Sequence, residues 1–217
     1  MKSKFMIAAP ASGSGKTTVS RGLMAVYTRK GYKVQPFKCG PDYIDTKFHT
    51  AVCHRPSVNL DTFMATTEHV CDIFRQYSAD ADLCIVEAMM GLFDGYDRDK
   101  SSSAEIARVL DLPIVLVVDA RSSAYSMAAL LYGFINFNRN IRIAGVIFNK
   151  TGSKRHCDML QQVCDDLKIE CYGFISKNDN LAQSSRYLGL DFSETANIDA
   201  VASELENSIQ WQKLLEL

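Results

Sequence analysis

The chain has 217 residues, 47% hydrophobic and 23% charged, enough to bury one large core in a single globular domain and too apolar for a disordered chain. Its 24 basic against 25 acidic residues give a net charge of −1, without the basic excess that marks a nucleic-acid binder. The apolar runs at 114–118 and 141–148 are strand-sized and the one at 5–9 stops at Pro10, so neither a membrane span nor a signal peptide is predicted.

Strands and helices alternate along the chain. A strand is predicted over 4–9, a helix over 16–30, a strand over 33–38 and a helix over 62–77. Strands at 83–88, 113–119, 142–149 and 170–175 follow, separated by helices at 101–110, 124–138 and 154–167, with a last helix over 198–215. Runs such as Ile114-Val115-Leu116-Val117-Val118 are apolar throughout, which a strand needs when helices cover both faces of its sheet. No repeat or linker interrupts the pattern, so residues 1–217 are expected to form one α/β domain with a mainly parallel central sheet flanked by helices. None of the seven cysteines forms a C-x-x-C pair and the four histidines show no ligand spacing, which predicts buried free thiols in a cytoplasmic protein.

The chemistry begins where the first strand meets the first helix. Ala11-Ser12-Gly13-Ser14-Gly15-Lys16-Thr17-Thr18 reads as the second half of a phosphate-binding P-loop, the first glycine of the motif being replaced by Pro10. Backbone N–H groups from Ser12 to Thr18 and the helix N-terminus would wrap the phosphates of ATP. Lys16 would neutralise the β/γ oxygens and the Thr17 hydroxyl would reach Mg²⁺. The fold is thereby a three-layer P-loop fold.

Carboxylates cluster after the next strands. Asp42 and Asp45 follow the second strand, at the sheet edge where α/β ligands bind. Glu87 ends an apolar strand, where an acid is poorly explained as surface. Mg²⁺ takes hard oxygens in an octahedron, and Thr17, Asp45 and Glu87 would supply them. Asp42 and Asp94 stand in turn-like stretches with nearby glycine or proline, so turn geometry accounts for them as well as chemistry does. Asn149 likewise reads as a turn residue or a ligand.

The runs Lys38-Cys39-Gly40-Pro41-Asp42-Tyr43-Ile44-Asp45 (then His49), Asn59-Leu60-Asp61 and Glu87-Ala88-Met89-Met90-Gly91-Leu92-Phe93-Asp94-Gly95 closely resemble the cobyrinic acid a,c-diamide synthase family, which shares its fold with dethiobiotin synthetase. The resemblance extends through 101–107, Asp119-Ala120, 145–150, Arg155-His156 and Ser185-Arg186-Tyr187-Leu188-Gly189-Leu190. It implies ATP- and Mg²⁺-dependent amidation of a corrinoid carboxylate through an acyl phosphate, in cobalamin biosynthesis. Lys16, Asp42, Asp45, Glu87 and Asp94 would be catalytic, Tyr43 and Ile44 would face the substrate, and Asn149 would read adenine. Family members carry a C-terminal glutamine amidotransferase domain that delivers ammonia. Only about 27 residues follow Leu190, without Cys or His, so that domain is expected to be absent here. The resemblance also leaves room for a homodimer. A dethiobiotin-type ligase and a ParA/MinD-like regulatory ATPase stand as alternatives; the ParA/MinD loop has a second lysine where this chain has Ala11.

Overall fold

The computed structural model describes residues 3–177 and 198–217; the Ser185–Leu190 part of the resemblance lies outside them. Seven strands form one sheet: β1 (Ser3–Ala8), β2 (Val34–Cys39), β3 (Val58–Leu60), β4 (Leu83–Glu87), β5 (Ile114–Asp119), β6 (Ile143–Thr151) and β7 (Glu170–Ser176). They lie in the order β3-β2-β4-β1-β5-β6-β7, and every pair of neighbours is parallel.

Strand side chains alternate between two cores, one on each face, because successive residues point to opposite sides. Phe5 and Ile7 of β1 pack with Val19 and Leu23 of α1 (Lys16–Arg29) and Leu205 of α7 (Ile198–Ser208). Met6 and Ala8 join the opposite core, with Phe74 of α3 (Thr67–Ser78), Ala104 of α4 (Ser103–Val109), Leu131 of α5 (Met127–Phe137) and Leu160 of α6 (Lys154–Leu167). The three layers expected from the apolar strands follow from this arrangement.

The C-terminal stripe of Val201, Leu205, Ile209 and Leu214 is buried against the domain's own sheet face. It is not one continuous helix: α7 stops at Ser208 and a 3₁₀ turn runs Trp211–Glu216. Between them Gln210 donates its N–H to the Tyr172 carbonyl (2.7 Å), which ties the segment to β7. The α1–α7 contact is close because Gly22 has no side chain; a Cβ there would lie 2.8 Å from Val201 Cγ1.

Two elements carry no sequence signal. β3 is three residues long, and α2 (Asp45–Cys53) contains Thr46, Thr50 and Val52 and buries only His49 and Cys53, so it shows no apolar stripe. The helix expected over 62–77 begins at Thr67, where the Thr66 hydroxyl accepts from the His69 N–H (3.2 Å). Of the cysteines, Cys39, Cys53, Cys84, Cys164 and Cys171 are buried, Cys71 and Cys157 half-buried, and all are free thiols.

β1 and β4 lie side by side at the centre, yet α1 leaves β1 towards one face and α4 follows β4 on the other. Such a divergence opens a crevice at the carboxyl ends of the strands, where open α/β sheets bind ligands.

Candidate active site

The loop between β1 and α1 is built for close approach. Gly13 and Gly15 hold φ of 81° and 94°, a region that L side chains rarely adopt. A Cβ on Gly15 would also run into the Asn149 amide, whereas one on Gly13 would meet nothing within 4 Å. Ser14 Oγ donates to the Ala11 carbonyl (2.8 Å), closing the loop; Ser12 and Gly13 face solvent and Thr18 is half-buried.

Asn149 lies within β6, buried beneath this loop. Its Nδ2 donates to the Ser14 carbonyl (2.9 Å) and its Oδ1 accepts from the Lys150 N–H (2.9 Å). Lys150 Nζ in turn donates to the Gly13 carbonyl (3.0 Å) and pairs with Asp119 (2.9 Å). The amide therefore props the phosphate loop from below.

Lys16 is buried and donates to the Met90 carbonyl (3.1 Å). Burial lowers its pKa, opposed by the nearby Glu87 carboxylate. Thr17 Oγ1 donates to Glu87 Oε1 (2.6 Å), joining the loop to the end of β4.

Around Glu87 lies a compact network of buried charge. Lys38, on β2 beside β4, places Nζ 2.9 Å from Glu87 Oε1 and 2.7 Å from Asp45 Oδ2. His49 Nε2, from α2, lies 2.8 Å from Glu87 Oε2, and its Nδ1 lies 3.3 Å from Ser57 Oγ. Asp45 Oδ1 takes a further bond from Arg21 Nη2 (2.7 Å), whose guanidinium lies 4.1 Å above the Phe48 ring centroid. Burial opposes ionisation of Glu87, but Lys38, His49 and Thr17 outweigh it and hold the carboxyl well below its usual range. Burial likewise opposes the charge on Lys38, and Glu87 and Asp45 more than offset it, so its pKa is raised.

Thr17, Asp45, Glu87 and Lys16, all assigned from sequence, are thus brought to one point. Asp42 and Asp94 stand at its rim and make turn hydrogen bonds. Asp42 Oδ1 accepts from the Ile44 and Asp45 N–H groups (2.8 and 2.9 Å), capping α2. Asp94 Oδ2 accepts from the Gly91 N–H (2.9 Å). Tyr43 and Ile44 are exposed and, with Pro41, Asp42 and Met89, line a pocket of about 380 Å³. Lys38, His49 and Arg21 were not assigned from sequence. Lys38 did leave a sign, as a lysine inside a fully buried strand must have partners; His49 left none beyond its place in the resembling run.

Among the described residues no group of three or more His, Cys, Asp or Glu gathers as a metal site. Two carboxylates and a hydroxyl do converge here, a hard-oxygen set that suits Mg²⁺ once phosphate and water complete the octahedron.

The family model described as the CobQ/CobB/MinD/ParA nucleotide binding domain matches residues 5–188. A cobyrinate a,c-diamide synthase from Caldanaerobacter subterraneus is 46% identical over 220 positions, covering 98% of this chain and 48% of that protein. A hydrogenobyrinate a,c-diamide synthase from Brucella anthropi is 46% identical over 187 positions, covering 86% and 43%. The chain therefore spans about half the length of these curated relatives. Among solved structures, chloroplast FtsY from Physcomitrella patens superposes with a TM-score of 0.57 at 17% identity, over 93% of this chain and 65% of that one. FlhF complexed with GTP and Mg²⁺ gives 0.59 at 16%, over 82% and 67%. Those two likenesses establish the fold alone. On the family match and the identities to the two synthases, the chain belongs to the CobQ/CobB/MinD/ParA nucleotide-binding domain family.

Proposed function

We propose that this chain is the ATP-binding amidoligase part of a cobyrinate or hydrogenobyrinate a,c-diamide synthase, a carbon–nitrogen ligase of cobalamin biosynthesis. The observation that carries the reading is the meeting of the phosphate loop with the acid network, Thr17 on Glu87 and Lys38 between Glu87 and Asp45. The names of the relatives supply the corrinoid substrate.

In this reading the loop from Ser12 to Thr18 cradles ATP, and Lys16, which donates to the Met90 carbonyl, turns its ammonium to the β/γ oxygens. Thr17, Asp45 and Glu87 would hold Mg²⁺, which supplies neutralisation of phosphate charge. Asn149 contributes by supporting Ser14, with adenine recognition a further role for the same amide. A side-chain carboxylate of the corrinoid, lying against Tyr43 and Ile44, takes the γ-phosphoryl group and releases ADP. Ammonia then displaces phosphate from the acyl phosphate and leaves the amide. Neither nucleophile belongs to the protein, so its work is positioning and charge compensation. Asp42 and Asp94 would hold an incoming ammonium ion and take its proton, leaving NH₃ as the attacking species. Ammonia is the nitrogen donor in this reading.

Calorimetric titration tests the nucleotide part. ATP should bind in the presence of Mg²⁺ and much more weakly without it. Lys16→Ala, folded as wild type, should weaken binding by about 1.5–3 kcal/mol, the scale of a hydrogen bond to a charged group. Unchanged affinity in that variant would contradict the reading.

A further inference from the structure

Ten large hydrophobic residues are exposed among the described residues, and six of them, Tyr43, Ile44, Phe63, Met64, Met90 and Tyr96, follow the carboxyl ends of β2, β3 and β4. These three strands are neighbours in the order β3-β2-β4, so the six share one rim of the sheet. Scattered apolar residues need no explanation, but a group at one edge marks a binding surface.

Phe63 and Tyr96 are each 66% exposed. Their rings meet edge to face at 5.1 Å, although one loop leaves β3 and the other β4. Both loops lead to helices on the α3/α4 face, so the pair meets there, while the loop of Pro41 to Ile44 leaves β2, the strand that lies between β3 and β4.

Their exposure is imposed by well-bonded turns. Asp61 Oδ1 accepts from the Phe63 and Met64 N–H groups (2.7 and 3.1 Å). The Tyr96 N–H donates to the Lys100 carbonyl (3.1 Å). One carboxylate oxygen joins both loops: Glu105 Oε2 of α4 accepts from Thr62 Oγ1 (2.6 Å) and from the Ser101 N–H (2.8 Å). Two aromatic faces are thus held towards solvent by a shared buttress. Tyr96 also follows Asp94 by two residues, and Lys16 bonds the Met90 carbonyl on the same loop, so the rim borders the proposed site.

The pocket lined by Pro41 to Ile44 and Met89 on the same rim, about 380 Å³, lies near the low end of small-molecule sites, which run from about 300 to 1,000 Å³. It is an open depression, of a size for one acidic arm of a macrocycle. We infer that Phe63 and Tyr96 form a shelf that seats the apolar ring face of a carboxylate-bearing macrocycle while one arm enters the pocket beside Asp42. This rests on the corrinoid reading above and adds to it a second binding surface, outside the phosphate and carboxylate machinery.

The test is direct titration of cobyrinate, without nucleotide, into wild type, the Phe63→Ala/Tyr96→Ala double variant and Tyr96→Phe, followed by the absorbance of the corrinoid. Removing both rings should weaken binding at least about tenfold, whereas Tyr96→Phe, which keeps the ring face, should bind within about twofold of wild type. Mg·ATP affinity should stay at the wild-type value in all three proteins, and each should unfold cooperatively, the double variant no more than a few degrees below wild type. Equal binding by wild type and double variant overturns the shelf and leaves the corrinoid reading standing. Failure of wild type itself to bind cobyrinate removes the substrate reading and the shelf with it. Loss of a dimer on sedimentation of the double variant, with cobyrinate binding kept, makes the rim a contact between copies and also overturns the proposal.

Discussion

His49 Nε2 lies 2.8 Å from Glu87 Oε2, and both side chains are fully buried. Through this contact α2 fixes one carboxylate oxygen and leaves the other to Thr17 and Lys38. Replacing His49 by Ala would strand a buried carboxylate oxygen, so the variant should lose about 1–3 kcal/mol of stability or more. Urea denaturation measures it, and Gln, which keeps a donor at about the Nε2 position, should lose less. Equal losses in the two variants would mean that packing rather than the hydrogen bond holds the site.

Lys38 is the cation between two carboxylates, and Lys38→Met should cost about 3–5 kcal/mol near neutral pH, the scale of breaking a buried ion pair. The loss should depend on pH. Folding holds Glu87 well below the ordinary glutamate value of about 4.3, so its contribution is present above that value and is lost as pH falls through the lower folded one. The gap between wild type and Lys38→Met should therefore narrow from pH 7 towards pH 3, and denaturation at both ends checks it. A constant gap would show that Glu87 is not the group Lys38 compensates.

Asp42 separates capping from chemistry. Its Oδ1 caps α2, so Asp42→Ala should cost about 0.5–2 kcal/mol, while Asp42→Asn keeps an acceptor and most of the stability. If the negative charge serves ammonium, both variants should lose amidation with ammonia to a similar extent. Full activity in Asp42→Asn would reduce Asp42 to a cap.

Gly15 and Asn149 should couple. Gly15→Ala places a methyl against the Asn149 amide at φ 94° and should destabilise by at least about 1–2 kcal/mol. Adding Asn149→Ala removes the obstructing amide, so the double variant should lose less than the sum of the two single losses. A double-mutant cycle on denaturation midpoints measures this, and additive losses would contradict the contact.

Much of this was legible in the sequence wherever one physical signal dominated. Uniformly apolar runs such as Ile114 to Val118 announced a sheet covered on both faces, and Gly15-Lys16-Thr17 after a strand announced a phosphate loop. α2 was illegible because its burial is polar: it exists to deliver Asp45 and His49, and only His49 and Cys53 are hidden. The 3₁₀ turn at Trp211–Glu216 continues the apolar stripe of α7, so periodicity could not show the break at 209–210. Pairings such as Lys38 with Asp45 and Glu87 join three different elements, and only the sheet order brings them together.

The central claim, ATP-driven amidation by this chain, is tested most directly by incubating it with cobyrinate, Mg·ATP and ammonium salt and following amide and ADP together. One ADP should appear for each amide, and the rate should rise into the alkaline range as free NH₃ increases. Glu87→Gln should abolish most of the turnover. Amide formation without ADP, or turnover retained by Glu87→Gln, would contradict the account.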